Sequence, residues 1–427
     1  MGEISGSDTA PSRQGGAPAR QTSDQVYSAL VVGAAFGLYW LSSFILDARN
    51  ATTHFGTDTW YYAELAQGNV FYRIPTNEYL DRIVRFHPLT VAMAATWMQI
   101  LGPLTLWVPP LHLLKAMFAA VGAAGVWAAT SAFAAVVPRR YVILFGIIYA
   151  ISFGVWFFSS IEESKIVSAS LSAFYIACYL HLRKGWTTRG AVLLTAILLL
   201  ACLNEMVAGF LVIIPIVDTL MLRGLDWRHG RWIAAHALAG PIAFVIVEGL
   251  IYGQLPAPTN PEGESHFGML FYYLSENYRD AAMLYSFVVN WLFFNLAAPT
   301  ANAPRWVPPG FFEPALANYF SSPVSAALAV LFGVMIVVSG AARYRREIAD
   351  GSAGIVLALM AYTALRGVFF FLFNPAEPLL FSSSVTLALI LMIAIPFAAS
   401  TFPAKRALLG AIAVLLFVTN GAFIIGP

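Results

Sequence analysis

Stretches of about twenty predominantly apolar residues, long enough as a helix to cross roughly 30 Å of hydrocarbon, recur along almost the entire chain. No soluble fold can hide that much apolar surface. Of 427 residues 59% are hydrophobic and 11% charged, where an ordinary soluble domain has about 25% charged residues. Lipid must therefore be the solvent, and a backbone in lipid has to close its hydrogen bonds within each segment, which here means helices. The expectation is an all-α, polytopic transmembrane protein of about eleven spans, at 28–46, 111–136, 141–158, 166–182, 191–203, 207–222, 232–252, 323–342, 353–372, 378–400 and 407–424. The short pair meeting at Asn204 and Glu205 reads as two broken or tilted helices.

Residues 1–27 are rich in Gly, Ser, Ala, Gln and Thr, cannot bury enough surface to fold alone, and read as a disordered cytoplasmic tail. The charged-then-apolar order of a cleaved signal peptide is missing, so the first apolar run reads as a retained span. Residues 28–427 then form one transmembrane domain. Short connections rich in Lys and Arg mark the cytoplasmic side. Here they are Arg139-Arg140, Arg183-Lys184 with Arg189, Arg223 to Arg231, Arg343 to Arg346, and Lys405-Arg406. They fall on one side only if the N-terminus is cytoplasmic and the C-terminus outside. Two further apolar stretches, 89–101 and 283–298, would break this parity if they crossed, and read as interfacial helices or re-entrant segments. Two long outer loops result, 47–110 and 253–322, where chemistry outside the lipid should sit.

Several functions are excluded by what is missing. Net charge is only +2 with no basic tract interleaved with aromatics, so nucleic acid is not an expected partner. There is no G-x-x-x-x-G-K-[ST] loop and no H-E-x-x-H or paired Cys/His spacing; a nucleotide cofactor or a transition-metal site is not expected. A divalent cation held by Asp58 and a second carboxylate stays open. Cys178 and Cys202 both lie within spans and read as packing residues.

Three groups of residues carry chemistry. The first outer loop holds Thr57-Asp58-Thr59-Trp60-Tyr61-Tyr62-Ala63-Glu64 and then Arg82, Arg85, Phe86, His87 and Pro88, acids and cations among aromatics. It is either a solvated loop whose acids pair with its arginines or part of a site. Second, Ser160-Ile161-Glu162-Glu163-Ser164-Lys165 stands between two spans, where the acids either favour the positive end of the next helix or point into a cavity shared with the loop. Third, Lys115 with His112, Glu205, Asp218, Glu248 and Arg366 lie within spans, where a charge costs about 2.5–3.5 kcal/mol and so faces a cavity or a partner. Lys115 and Arg366 fall in the outer half of their spans, at the depth of a lipid phosphate. A salt bridge of either to Glu163 or Glu205 is an equal use of the charge.

Together these features resemble the GT-C superfamily of membrane glycosyltransferases, which includes protein O-mannosyltransferases and bacterial enzymes using polyprenyl-phosphate sugars. Members carry an acid in a long outer loop after the first span, often followed by a His-Pro element; Asp58 and His87-Pro88 are similar. A glutamate opening a later helix in a pattern like E-V-Y-A-L-x-A-L is similar to Glu163-Ser164-Lys165-Ile166-Val167-Ser168-Ala169-Ser170, with Lys165 where tyrosine is common. Phe373-Asn374-Pro375-Ala376-Glu377-Pro378 looks like an outer turn between two late spans. The resemblance implies a GT-C-like fold in a bacterial inner membrane. It also implies transfer of a sugar from a polyprenyl-phosphate carrier to a glycan, lipid or protein acceptor at the outer face. Asp58 would be the general base, and Arg85, His87, Lys115, Glu163, Lys165 and Arg366 would line the substrate site. The rival readings are a secondary transporter or lipid flippase, and a non-catalytic assembly partner of the same fold.

Overall fold

A computed structural model of the chain describes residues 18–48, 87–105, 107–183, 187–223, 227–252, 281–298, 306–307, 311–312, 322–345, 350–375 and 378–425. In chain order the helices are α1 (Pro18–Ala48), α2 (Pro88–Leu101), α3 (Pro110–Val136), α4 (Arg139–Ala150), α5 (Phe153–Ser159), α6 (Lys165–Leu182), α7 (Thr188–Asn204), α8 (Ile213–Arg223) and α9 (Trp227–Tyr252). They continue with α10 (Ala281–Val289), α11 (Pro323–Tyr344), α12 (Asp350–Phe373), α13 (Pro378–Ser382), α14 (Thr386–Ala399) and α15 (Lys405–Ile425). A minimal antiparallel pair, Trp306–Val307 with Phe311–Phe312, is the strand pairing among the described residues. The all-α transmembrane class expected from the apolar runs is the class observed.

Local chemistry sets the starts of these helices. Proline occupies the first turn of α2, α3 and α11, where its missing N–H would have no helical partner anyway. Thr187 caps α7 by accepting a hydrogen bond from the Gly190 amide at 3.1 Å. The helix α1 begins at Pro18, inside the 1–27 stretch expected to be a tail. Between Ala19 and Gln25 there is no proline or glycine to stop it. Residues 1–17 lie outside the described residues.

Among the described residues seven helices are long and apolar enough to cross a membrane, or eight if α4 and α5 count as one bent span. The expected spans 191–203 and 207–222 correspond to apolar helices too short for that test, and α7 passes into α8 through a 3-10 turn, Met206–Val212, at the expected break. The span drawn over 141–158 is not one straight helix. It bends by 57° between α4 and α5, because the backbone there is tied to a different segment. The Phe153 and Gly154 amides donate to the Leu296 and Asn295 carbonyls at 2.9 and 2.8 Å, and Asn420 of α15 donates to the Ile151 carbonyl at 2.6 Å.

The segment those carbonyls belong to is α10 with its continuation through the π-turn Asn290–Phe294 to Ala298. Its end is buried at Trp291, Phe294, Leu296, Ala297 and Ala298, and Asn420 accepts from the Ala298 amide at 2.7 Å while donating to the Leu296 carbonyl at 3.1 Å. The end of the 283–298 stretch is thus tucked among the helices and hydrogen-bonded to them. The helix α2, 14 residues long, reaches about 21 Å at 1.5 Å per residue, short of the hydrocarbon thickness.

At the centre, α3 packs against α1, α4 and α6. Close approach is possible because glycine faces the neighbours: a Cβ at Gly125 would lie 3.2 Å from the Ser170 backbone on α6, the small-residue contact that lets helices meet in lipid. One face of α6 is polar over its whole length. Lys165, Ser168, Ser172, Tyr175 and Tyr179 follow at spacings of three and four residues and are all buried. Each rung described here meets a different helix. Ser168 accepts from Asn204 of α7 at 2.8 Å, and Tyr179 donates to Asp218 of α8 at 2.7 Å, a carboxylate that also receives Arg183. Tyr175 pairs with His236 of α9 at 2.8 Å. Thr195 spends its hydroxyl proton on the Ala191 carbonyl, so it accepts from His236 Nδ1, and His236 Nε2 accepts from Tyr175.

Candidate functional site

At the N-terminal end of α6 charged side chains gather that lie far apart in sequence. The connection Ser160 to Ser164 brings Glu162 and Glu163 there, the head of α2 brings His87, the end of α7 brings Asn204 and Glu205, and the last turns of α12 bring Arg366. Arg366 is fully buried and Glu205 nearly so. Arg366 Nη2 meets Glu205 Oε2 at 2.7 Å, and the guanidinium lies 5.1 Å over the Phe370 ring. Its Nε and Nη1 atoms, and Glu205 Oε1, are buried without a hydrogen-bond partner. Lys165 and His87 lie near enough to the Glu205 carboxylate to act on its charge, as do Cys202 and Tyr362.

His87 is held from both sides. Its Nδ1 lies 2.7 Å from the Asn204 carbonyl and its Nε2 lies 3.4 Å from Lys165 Nζ. A carbonyl can only accept, so Nδ1 carries the proton and Nε2 accepts from the ammonium, the neutral tautomer. Lys165 also sits 4.9 Å over the Phe381 ring. Asn204 uses every hydrogen-bonding position it has: Oδ1 accepts from Thr90 of α2, Nδ2 donates to the Ser164 carbonyl at 3.2 Å and to Ser168, and its carbonyl takes His87.

Lys115 belongs to a neighbouring arrangement. Its ammonium lies 3.3 Å from Glu162 with both side chains 1% exposed, 3.4 Å from the Ser43 carbonyl, and 5.9 Å from the Phe44 ring centroid. Glu163, the family-motif acid, accepts from its neighbour Ser164 at 3.0 Å.

Of the residues singled out from sequence, the structure brings His87, Lys165, Glu205 and Arg366 together and places Lys115 on Glu162. The anticipated ion pair between a span cation and Glu205 is present for Arg366. The one anticipated for Lys115 goes to Glu162 instead of Glu163, because Glu163 is turned toward Ser164. Asp58, Glu64, Arg82 and Arg85 lie outside the described residues, as does the Glu248 side chain. Asp218 is at the opposite end of α6, bound to Tyr179 and Arg183. Sequence reasoning marked the break at Asn204 and Glu205 without seeing that Asn204 is the junction of α2, α6 and α7. A fully polar residue at a helix break inside an apolar run was the available signal.

Among the described residues no three His, Cys, Asp or Glu side chains converge closely enough to hold a metal ion. The three acids here face an ammonium, a hydroxyl and a guanidinium, so a cation site built from them alone does not fit.

No protein-family model and no curated protein matches the chain. Solved structures do. The oligosaccharyltransferase of Archaeoglobus fulgidus in complex with Zn and sulfate matches with a TM-score of 0.57 at 14% identity, over 93% of this chain and 53% of that one. The same organism's oligosaccharyltransferase AglB with an inhibitory peptide and a dolichol-phosphate matches with a TM-score of 0.55 at 14% identity, over 94% and 56%. A third, tethered to an acceptor peptide containing the NVT sequon, matches at 0.54 and 14%, over 93% and 55%. The fold is similar to that of these oligosaccharyltransferases. This chain spans about half the length of the oligosaccharyltransferases it matches. The helical membrane architecture expected from the sequence is consistent with this likeness of fold.

Proposed function

We propose that the chain is a membrane glycosyltransferase. It moves a sugar from a polyprenyl-phosphate carrier to an acceptor at the outer face of the membrane. The observation that carries this is the Arg366 guanidinium, paired on one edge with Glu205 and buried with Nε and Nη1 unpartnered. Leaving a buried polar group unpaired costs about 1–3 kcal/mol. A phosphate oxygen arriving in the plane of the guanidinium would satisfy one of those donors, and arginine's fixed, planar donors suit phosphate better than a point charge does. Lys165, facing a neutral imidazole, adds a second cation. Lys115, opposed by Glu162 at 3.3 Å, is the weaker choice for the phosphate.

The layout suits a lipid donor: the prenyl chain stays in hydrocarbon while its phosphate meets the buried cations. The acceptor hydroxyl oxygen bonds to the anomeric carbon, the bond from that carbon to the phosphate oxygen breaks, and the carrier phosphate leaves with the electron pair. Asp58 takes the hydroxyl proton, and Arg366 with Lys165 offsets the charge growing on the phosphate. The matched AglB structure contains a dolichol-phosphate, which supports a lipid-phosphate carrier here. The sequence motifs favour a hydroxyl acceptor, as in protein O-mannosyltransferases.

Turnover of a labelled polyprenyl-phosphate sugar tests the reading. Asp58→Asn keeps side-chain size but removes the basicity, so expression should persist while transfer falls by about 10²–10⁴. Glu64→Gln changes the loop charge equally and should have a much smaller effect. Wild-type turnover in Asp58→Asn would remove Asp58 as the base. The buried polar face of α6 favours one second reading, a transporter or lipid flippase. Substrate movement across sealed vesicles without any transfer product would select it.

A further inference from the structure

We infer that Asn204 is the positioning residue of this site: it holds Glu205 on Nη2 of Arg366 and thereby leaves Nε and Nη1 of the guanidinium for the ligand. The inference rests on the lipid-phosphate reading above for what those donors are for, but the hydrogen bonds that define the role are independent of it.

Four bonds converge on Asn204 from two elements, α2 and α6. Thr90 on α2 donates to Oδ1, Nδ2 donates to the Ser164 carbonyl and to Ser168 at the start of α6, and the backbone carbonyl accepts from His87. The amide orientation follows from these partners, because the Ser164 carbonyl can only accept and so must face the NH2 group. Asn204 is fully buried and is the last residue of α7; the next residue is Glu205, in extended backbone at φ −157 and ψ 111. Turning abruptly from helix to extended backbone sends the Glu205 side chain toward α12. The Glu205 amide still bonds back into the helix at the Ala201 carbonyl and its carbonyl takes the Ala208 amide, while side-chain anchoring at the turn comes from residue 204.

Arg366 could neutralise Glu205 in many orientations, since a guanidinium has five donors around its rim. Here Glu205 engages Nη2, and the donors left over are Nε and Nη1, which point in different directions with Cδ between them. Anchoring Asn204 selects that arrangement. The same residue holds His87, the residue at which the first outer loop reaches α2, so the loop end and the anion seat share one anchor.

Asn204→Asp is the discriminating change, because it keeps shape while turning the NH2 donor into an oxygen. Ser168 can rotate its hydroxyl to donate, but the Ser164 carbonyl cannot, and repulsion there should shift residue 204. In detergent, with the full chain and a short-chain polyprenyl phosphate as probe, Asn204→Asp should weaken binding by about 10–100-fold, the usual effect of losing a supporting hydrogen bond behind a ligand-binding group. In an Arg366→Lys background, which already lacks the fork, the same change should add less than about two-fold, since coupled residues are not additive. A loss of the same size in both backgrounds, or unchanged affinity in a destabilised Asn204→Asp protein, would show a merely structural role and overturn the inference. A thermal-unfolding cycle of Asn204→Asp with Glu205→Gln needs no ligand. Losses in Tm that fall short of their sum support the anchoring; losses that add fully refute it. If the wild-type chain binds no polyprenyl phosphate, the proposed function falls while this cycle still decides the role of Asn204.

Discussion

At the scale of single residues, burial separates two cations that the sequence could not rank. Lys115 and Arg366 look alike there, each a positive charge in the outer half of an apolar span. Their acids differ in what they leave over: Lys115 is set against Glu162, whereas Arg366 gives one nitrogen to Glu205 and keeps two donors unpartnered. Their substitutions should therefore fail differently. Arg366→Lys retains a charge for Glu205 but loses the fork, so the chain should fold normally while binding of a polyprenyl phosphate weakens by about 10–100-fold, the equivalent of one to two charged hydrogen bonds. Lys115→Met strands a buried acid and should cost about 3–5 kcal/mol of stability, visible as lost expression or a lowered Tm before any binding is measured. Normal folding of Lys115→Met with impaired binding would return Lys115 to the site. Sequence offered the pairing of Arg366 with Glu205 only as one of several uses of the charge, since the partners are 161 residues apart. The choice of Glu162 over Glu163 was not legible, because the two acids are adjacent in the non-helical connection before α6.

Among the elements, apolar length was legible and interruption was not. The spans at 111–136, 166–182, 323–342 and 407–424 coincide closely with α3, α6, α11 and α15 because their apolar runs are bounded by proline or charge. The run 141–158 has no proline or charge inside it, and its bend comes from partners elsewhere: Leu296, Asn295 and Asn420 replace the helical hydrogen bonds that α4 and α5 would otherwise share. Two substitutions test this joint. Asn420→Leu keeps the volume and strands the Ile151 carbonyl and the Ala298 amide, while the Leu296 carbonyl keeps the Phe153 amide; each stranded group costs about 1–3 kcal/mol, so thermal unfolding should shift downward. Gly154→Ala drives a methyl into the Asn295 side chain, which is itself bound to the Ser382 carbonyl and Thr386, and should cost about 1–3 kcal/mol. Gly333→Ala meets nothing within 4 Å and should leave stability within about 0.5 kcal/mol, or raise it by helix propensity. Equal melting of Gly154→Ala and Gly333→Ala would mean the joint is not close-packed.

For the whole molecule, the proposed orientation places the Lys- and Arg-rich connections in the cytoplasm and the site cluster at the outer face. Single cysteines at positions 68 and 263 should react with an impermeant maleimide added to sealed cells, and cysteines at 185 and 351 should react only after permeabilisation. Labelling of position 185 from outside would invert the arrangement and move the sugar chemistry to the cytoplasmic face. The polar face of α6 bears on a different matter, the order in which the chain is built. Of the seven long apolar helices α6 is the least apolar, and Ser168, Tyr175 and Tyr179 find their partners on α7, α9 and α8, all of which leave the ribosome after it. While those partners are unmade, α6 would stand in lipid with hydroxyls unpaired. The stretch from α6 to α9 is therefore expected to settle in the bilayer as one translational unit.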